Sequence, residues 1–173
     1  TGKWFTDNDG NADFTNNDAL KECYDVFKKL NESDFCQVVS DWTGFAGAIN
    51  NGDVACVMRG SWITSTIMGA DDQSGKWKMA PIPKMSTDGA THYSNQGGSS
   101  WFVLKNSKNA DAAAKFLADT FGGSTELYDS LMKSNNIIGT YLPAADIEAV
   151  NTESEFFSGQ QINKTLVDWE AQI

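Results

Sequence analysis

Apolar residues recur along this chain with more than one period. Over residues 19–31, Leu20, Cys23, Tyr24, Phe27 and Leu30 fall at the three-and-four spacing that gathers side chains on one helical face, and Asn16 to Asp18 offer N-caps ahead of them. A second helix is predicted behind Ser40 or Asp41, with Trp42, Phe45, Ala46 and Ile49 on one side and Gly52 at its end. Residues 54–58 break that rhythm: they form an unbroken apolar run of strand length, the pattern of a strand covered on both faces of a parallel sheet. Gly60-Ser61 then turns into a predicted helix over about 62–68, with Ser61 as its N-cap. Residues 76–82 read as another strand closed by Pro81 and Pro83, and 93–104 as extended backbone interrupted by Gly97-Gly98. Further helices are predicted from Asn109 to about 121, from Ser124 to 133, briefly at Leu142-Pro143, and over 160–173 with Ile162, Leu166 and Trp169 facing inward. Residues 34–39 are short and ambiguous. The pattern predicts an α/β fold, helices on both faces of a mainly parallel sheet, without a repeat, a low-complexity tract or a visible linker.

Composition narrows the partners. Thirteen basic against twenty-three acidic residues give a net charge of −10, which repels nucleic acid and anionic membrane surfaces. Ten Phe, six Trp and four Tyr set this acidity apart from that of disordered proteins, which are poor in aromatics. The apolar runs are far shorter than the ~20 residues of a membrane span. The chain starts on Thr1 without a charged leader or apolar h-region, so it is expected to be cytosolic or cut from a longer precursor. Cys23, Cys36 and Cys56 make an odd count with no CxxC pair, which argues against zinc. Cys23 and Cys56 are expected to be small buried hydrophobes, and a Cys23–Cys36 disulfide stays open.

Trp62 carries the strongest chemical signal. It follows the predicted strand at 54–58 through a tight turn, the place where open α/β sheets bind ligands, and a flat ring there can stack on the C–H face of a sugar; packing the helix onto the sheet is the alternative. Gly97-Gly98-Ser99 marks a close approach of backbone either to a ligand or to a neighbouring segment. Two rivals are weighed. A hydrolase would need a paired set of carboxylates, and Asp41, Asp53, Asp71, Asp72 and Asp88 supply candidates that nothing places against Trp62, while the single His92 has no nucleophile motif around it. Calcium is suggested by Asp7, Asp9, Asn11 and Asp13, but Ala12 stands at the sixth place where an EF-hand needs Gly, and Asp18 at the twelfth where it needs Glu, so a polar turn is expected.

The order of pieces, Asp41-Trp42, Gly52-Asp-Val-Ala, Gly60-Ser-Trp62, Gly75-Lys-Trp-Lys-Met-Ala-Pro-Ile-Pro83, Gly97-Gly-Ser-Ser, Ser107-Lys-Asn, Leu142-Pro-Ala144 and Phe156-Phe-Ser-Gly-Gln160, resembles the family 1 extracellular solute-binding proteins of sugar ABC transporters, nearest to the oligosaccharide binders of Gram-positive bacteria. The resemblance implies a partial lobe of the periplasmic-binding-protein type (type II), from a hinge-closing receptor of roughly twice this length. Residues 1–90 would belong to the second lobe, 91–140 would supply a hinge-crossing strand and first-lobe helices, and 141–173 would return to the second lobe. It also implies a non-catalytic protein without a cofactor, which captures an oligosaccharide and delivers it to permease subunits. The setting would be periplasmic or the cell surface, with the membrane reached only through a lipid anchor absent from this chain. Trp62, Trp42, Gly97, Gly98, Ser99 and Gln160 would border the ligand. The sequence departs from the family pattern at Gln96, where relatives often have Trp, and at Ser158, where they have Gly.

Overall fold

The computed structural model of the protein describes residues 6–7 and 9–173. Six α-helices are formed among these residues: α1 (Asp18–Asn31), α2 (Trp42–Asn50), α3 (Thr64–Ile67), α4 (Ala110–Asp119), α5 (Thr125–Asn135) and α6 (Ile162–Glu170). Short 3-10 turns lie at Ser61–Ile63, Asp71–Gln73, Leu142–Asp146, Glu148–Asn151 and Glu155–Phe157. Among the described residues there is no strand, only two isolated antiparallel bridges, Thr6 with Ala12 and Ser154 with Gln160.

No sheet is formed among the described residues, and the strand expectations at 54–58 and 76–82 are corrected, while 93–104 runs without strand pairing. A strand exists through its ladder of backbone bonds to a neighbour, and none of these segments lies paired against another. The run at 54–58 is consequently not covered on both faces. Val54 and Val57 turn toward the core, while Ala55, Cys56 and Met58 are exposed.

The helix expectations fare better because their signals are local. Asn17 caps α1 by accepting from the Leu20 N–H at 3.0 Å, and Asp41 caps α2 through the Gly44 N–H at 2.8 Å. Ser124 caps α5 through the Leu127 N–H at 3.1 Å. Asn109 stands at the N-cap of α4, but its amide makes no capping bond. Ser61 is not the cap expected of it. Gly60 occupies that position without a capping bond, and Ser61 opens the 3-10 turn that precedes α3.

At the far end of α2, the buried amide of Gln73 closes the helix. Its Nε2 donates to the carbonyls of Ile49 and Asn50, each at 2.9 Å, and its Oε1 accepts from the Trp77 indole at 2.6 Å. One amide thus ends α2 and fixes the start of the 75–79 segment. That segment is tied along its length to the turn at 154–160. Gly75 N–H donates to the Phe156 carbonyl at 2.9 Å, and the one proton of the Ser158 hydroxyl is shared between the carbonyls of Gly75 at 2.8 Å and Trp77 at 3.3 Å. Ser158 sits at φ 56°, the left-handed region that favours glycine, and its bifurcated hydroxyl bond offsets part of that backbone strain.

Two apolar clusters result. Ile49, Ile63, Ile67, Phe156, Phe157 and Ile162 form the first, with Phe45, Val54, Val57, Met68, Trp77 and Met79 packed around it. Met132, Ala149 and Val150 form the second, joined by Ile138, Ile147 and Val167. α6 supplies Ile162 to one and Val167 to the other.

α1 contradicts its own pattern. Its apolar stripe does not face a core: Tyr24 and Phe27 are 65% and 64% exposed, and Cys23 is exposed as well. The helix is held by a polar latch instead. The Glu22 carboxylate accepts from the backbone N–H and the hydroxyl of both Ser86 and Thr87. Cys36 and Cys56 are likewise free and exposed, so neither the disulfide nor the buried-thiol expectation describes this structure.

Candidate functional site

The first residue of α2 and the turn before α3 bring two tryptophans together. Trp42 is followed one turn later by Phe45 on the same helical face, with ring centroids 5.5 Å apart. Across from them stands Trp62, 5.9 Å from Trp42 and inclined to it by 41°. The Arg59 guanidinium closes one side, 4.8 Å above the Phe45 ring. Trp42 is 55% exposed and Trp62 43%, so the pair forms an open aromatic notch and not a core contact.

Trp62 is held by the segment that carries the double glycine. Its indole Nε1 donates to the Gln96 carbonyl at 3.1 Å, and Gln96 Oε1 accepts from the Gly60 N–H, also at 3.1 Å. The packing is tight: a Cβ at Gly60 would stand 2.7 Å from the Gln96 carbonyl oxygen and 2.8 Å from the Trp62 Nε1. Gly97 passes beside the same ring, and both Gly97 and Gly98 have positive φ, 109° and 106°. The glycines therefore serve a sharp change of direction next to an aromatic.

Of the six residues singled out from sequence, the structure brings Trp42, Trp62 and Gly97 together. Gly98 and Ser99 follow directly, exposed. Gln160 is engaged elsewhere: its amide pairs with the backbone of Met79, accepting from its N–H at 2.8 Å and donating to its carbonyl at 3.0 Å. Sequence reasoning missed Phe45 and Arg59 as members of the notch. Phe45 could have been found by its spacing from Trp42. Gln96 was marked in the sequence only as a departure from the family pattern before the double glycine; its bonds to Gly60 and Trp62, more than thirty residues away along the chain, were not legible there.

His92 Nδ1 lies 2.9 Å from the Ile82 carbonyl, and the Asp41 carboxylate is engaged at the α2 N-terminus. A groove of about 660 Å³ runs between α1 and residues 86–88, lined by Asp18, Lys21, Asp25 and Asp88 among others and by no aromatic ring. Its most perturbed group is Glu22, pulled down to about 2 by the hydroxyls and amides of Ser86 and Thr87. A carboxylate so depressed stays ionised and structural, unlike a general acid poised near neutrality. Among the described residues no three His, Cys, Asp or Glu side groups approach closely enough to hold a metal ion. Asp7 accepts from the N–H groups of Asp9 and Asn11 at 3.0 and 2.8 Å, which makes its stretch the polar turn expected; Asn8 lies outside the described residues.

The chain is 35% identical over 172 residues to the lactose-binding protein of Rhizobium radiobacter, an alignment that covers 99% of this chain and 41% of that protein. It thus spans about two fifths of the curated relative's length. No solved structure matches it. Residues 1–157 match the bacterial extracellular solute-binding protein family, and it is to this family that the chain belongs.

Proposed function

We propose that this chain is the C-terminal part of a receptor that captures an extracellular oligosaccharide and delivers it to the permease of an ABC transporter. The exposed Trp42–Trp62 notch carries the reading. Two inclined indole faces offer apolar, quadrupolar surface suited to the C–H face of a pyranose, and the exposed backbone groups of Gly98 and Ser99 beside them suit its hydroxyls. The lactose-binding relative supports a sugar as the ligand class. Residues 1–90 and 141–173 would build the lobe that bears the notch, with 91–140 crossing to a second lobe that closes over the ligand. In that arrangement the receptor works outside the cytoplasm, in the periplasm or tethered at the cell surface by a lipid anchor. It binds without turnover: the Asp41 carboxylate is taken up in capping α2 and the His92 ring lies against the Ile82 carbonyl, so neither forms a catalytic pair.

Titration calorimetry of the intact receptor with lactose and longer neutral oligosaccharides tests this. The expected outcome is a heat of binding with every glycosidic bond intact after prolonged incubation. Cleaved product would replace the receptor with a hydrolase, and the absence of binding to any neutral sugar would end the proposal.

A further inference from the structure

We infer that Gln96 is the positioning residue of the tryptophan notch: its carbonyl takes the Trp62 indole N–H and its amide oxygen takes the Gly60 N–H beside it, so that the ring offers a ligand its face and not its N–H. The inference rests on the sugar-binding reading of the notch and adds to it how the platform is set before a ligand arrives.

Three observations converge. First, the two bonds form a closed loop. Gly60 N–H meets the Gln96 amide oxygen, and the Trp62 indole N–H meets the Gln96 carbonyl, both at 3.1 Å, with Gly60 and Trp62 only two residues apart. Each bond lies on exposed backbone and is weak alone, but the amide bond fixes the carbonyl to which the indole donates. Second, the loop is closed without spare room. A Cβ at Gly60 would stand 2.7 Å from the Gln96 carbonyl oxygen, so any larger residue at position 60 would push the 96–98 segment off the ring. Third, the backbone turns away immediately beyond the contact, through Gly97 and Gly98 at φ 109° and 106°, which leaves the outer face of the indole uncovered.

The chemical consequence concerns donors. With its N–H spent on Gln96, Trp62 cannot donate to a sugar hydroxyl and contributes stacking alone. The Trp42 indole N–H makes no hydrogen bond within the protein among the described residues, and it is left as the indole donor of the notch. A ligand is therefore read as a flat C–H surface on Trp62 and as a hydrogen-bond acceptor on the side of Trp42.

Indole N–H exchange with water, followed by 15N NMR of this chain with the Trp62 signal assigned through Trp62→Phe, tests the clamp without any sugar. The Trp62 N–H should exchange at least about tenfold more slowly than that of Trp42. Gln96→Ala should bring the two rates within about twofold, whereas Gln96→Glu, whose carboxylate still accepts from the Gly60 N–H, should restore the difference. Equal rates in the unaltered protein, no change in Gln96→Ala, or no recovery in Gln96→Glu would each overturn the inference. If Gln96→Ala does not fold, the Trp62 and Trp42 rates in the unaltered protein decide alone. Sugar titration of the intact receptor separates the two claims. A protected Trp62 N–H with no sugar binding removes the sugar reading and leaves the clamp, and sugar binding with an unprotected N–H does the reverse.

Discussion

Trp62 and Ser158 show how much a single residue's setting decides. Removing the Trp62 ring takes away one face of the notch without opening a core, since the ring is already 43% exposed. Trp62→Ala in the intact receptor is expected to weaken sugar binding by about 1–3 kcal/mol, the scale of an aromatic contact in a recognition site, with the thermal midpoint nearly unchanged. Calorimetry and a melting curve on the same sample check both halves of that statement. Ser158 is the opposite case, a residue whose local backbone is unfavourable and whose value is entirely in its hydroxyl. Ser158→Ala keeps the left-handed strain and loses the shared bond to the 75–79 segment, so it should destabilise the fold by about 1 kcal/mol in denaturant titration. At this scale the sequence was informative where a residue's role follows from its immediate neighbours. The change of direction at Gly97-Gly98 could be read directly from the two adjacent glycines, which both take positive φ. The occupation of Gln160 by Met79 could not, because it joins positions 81 residues apart.

Elements divide along the same line. The longer helices appear close to where they are expected, because caps and apolar periodicity are contained in a single stretch of sequence. The predicted strands do not appear, because an apolar run states only that a segment suits a sheet, and the ladder must come from elsewhere. α1 adds a second lesson: its stripe of Tyr24 and Phe27 has the right period yet faces outward, so amphipathicity revealed the helix and not what covers it. α2 depends on Gln73, whose one amide satisfies two terminal carbonyls and an indole N–H. Gln73→Ala should leave these groups unpaired and cost about 1–3 kcal/mol. Hydrogen exchange should then localise the loss to the end of α2 and to the Trp77 indole, and uniform loss over the whole molecule would contradict this account.

For the whole molecule, the latch between α1 and residues 86–87 introduces a dependence on acid. The folded-state value of Glu22, about 2, lies below its ordinary 4.5. Its contribution is therefore complete above pH 4.5 and is lost as pH falls through about 2. Acid titration followed by hydrogen exchange should show α1 detaching in that window, and Glu22→Gln should detach it at all pH values and remove the dependence. A helix that stays docked in Glu22→Gln would mean that the latch is dispensable.

α6 gives the molecule its remaining property. A helix that is a wall of two cores at once, Ile162 in one and Val167 in the other, makes their meltings one event. Differential scanning calorimetry should accordingly show a single peak whose calorimetric and van't Hoff enthalpies agree, as in an all-or-none transition. Ile162→Ala, altering only one cluster, should lower that common midpoint without splitting the peak, so that damage at one end of the helix is felt as a change in the melting of the other.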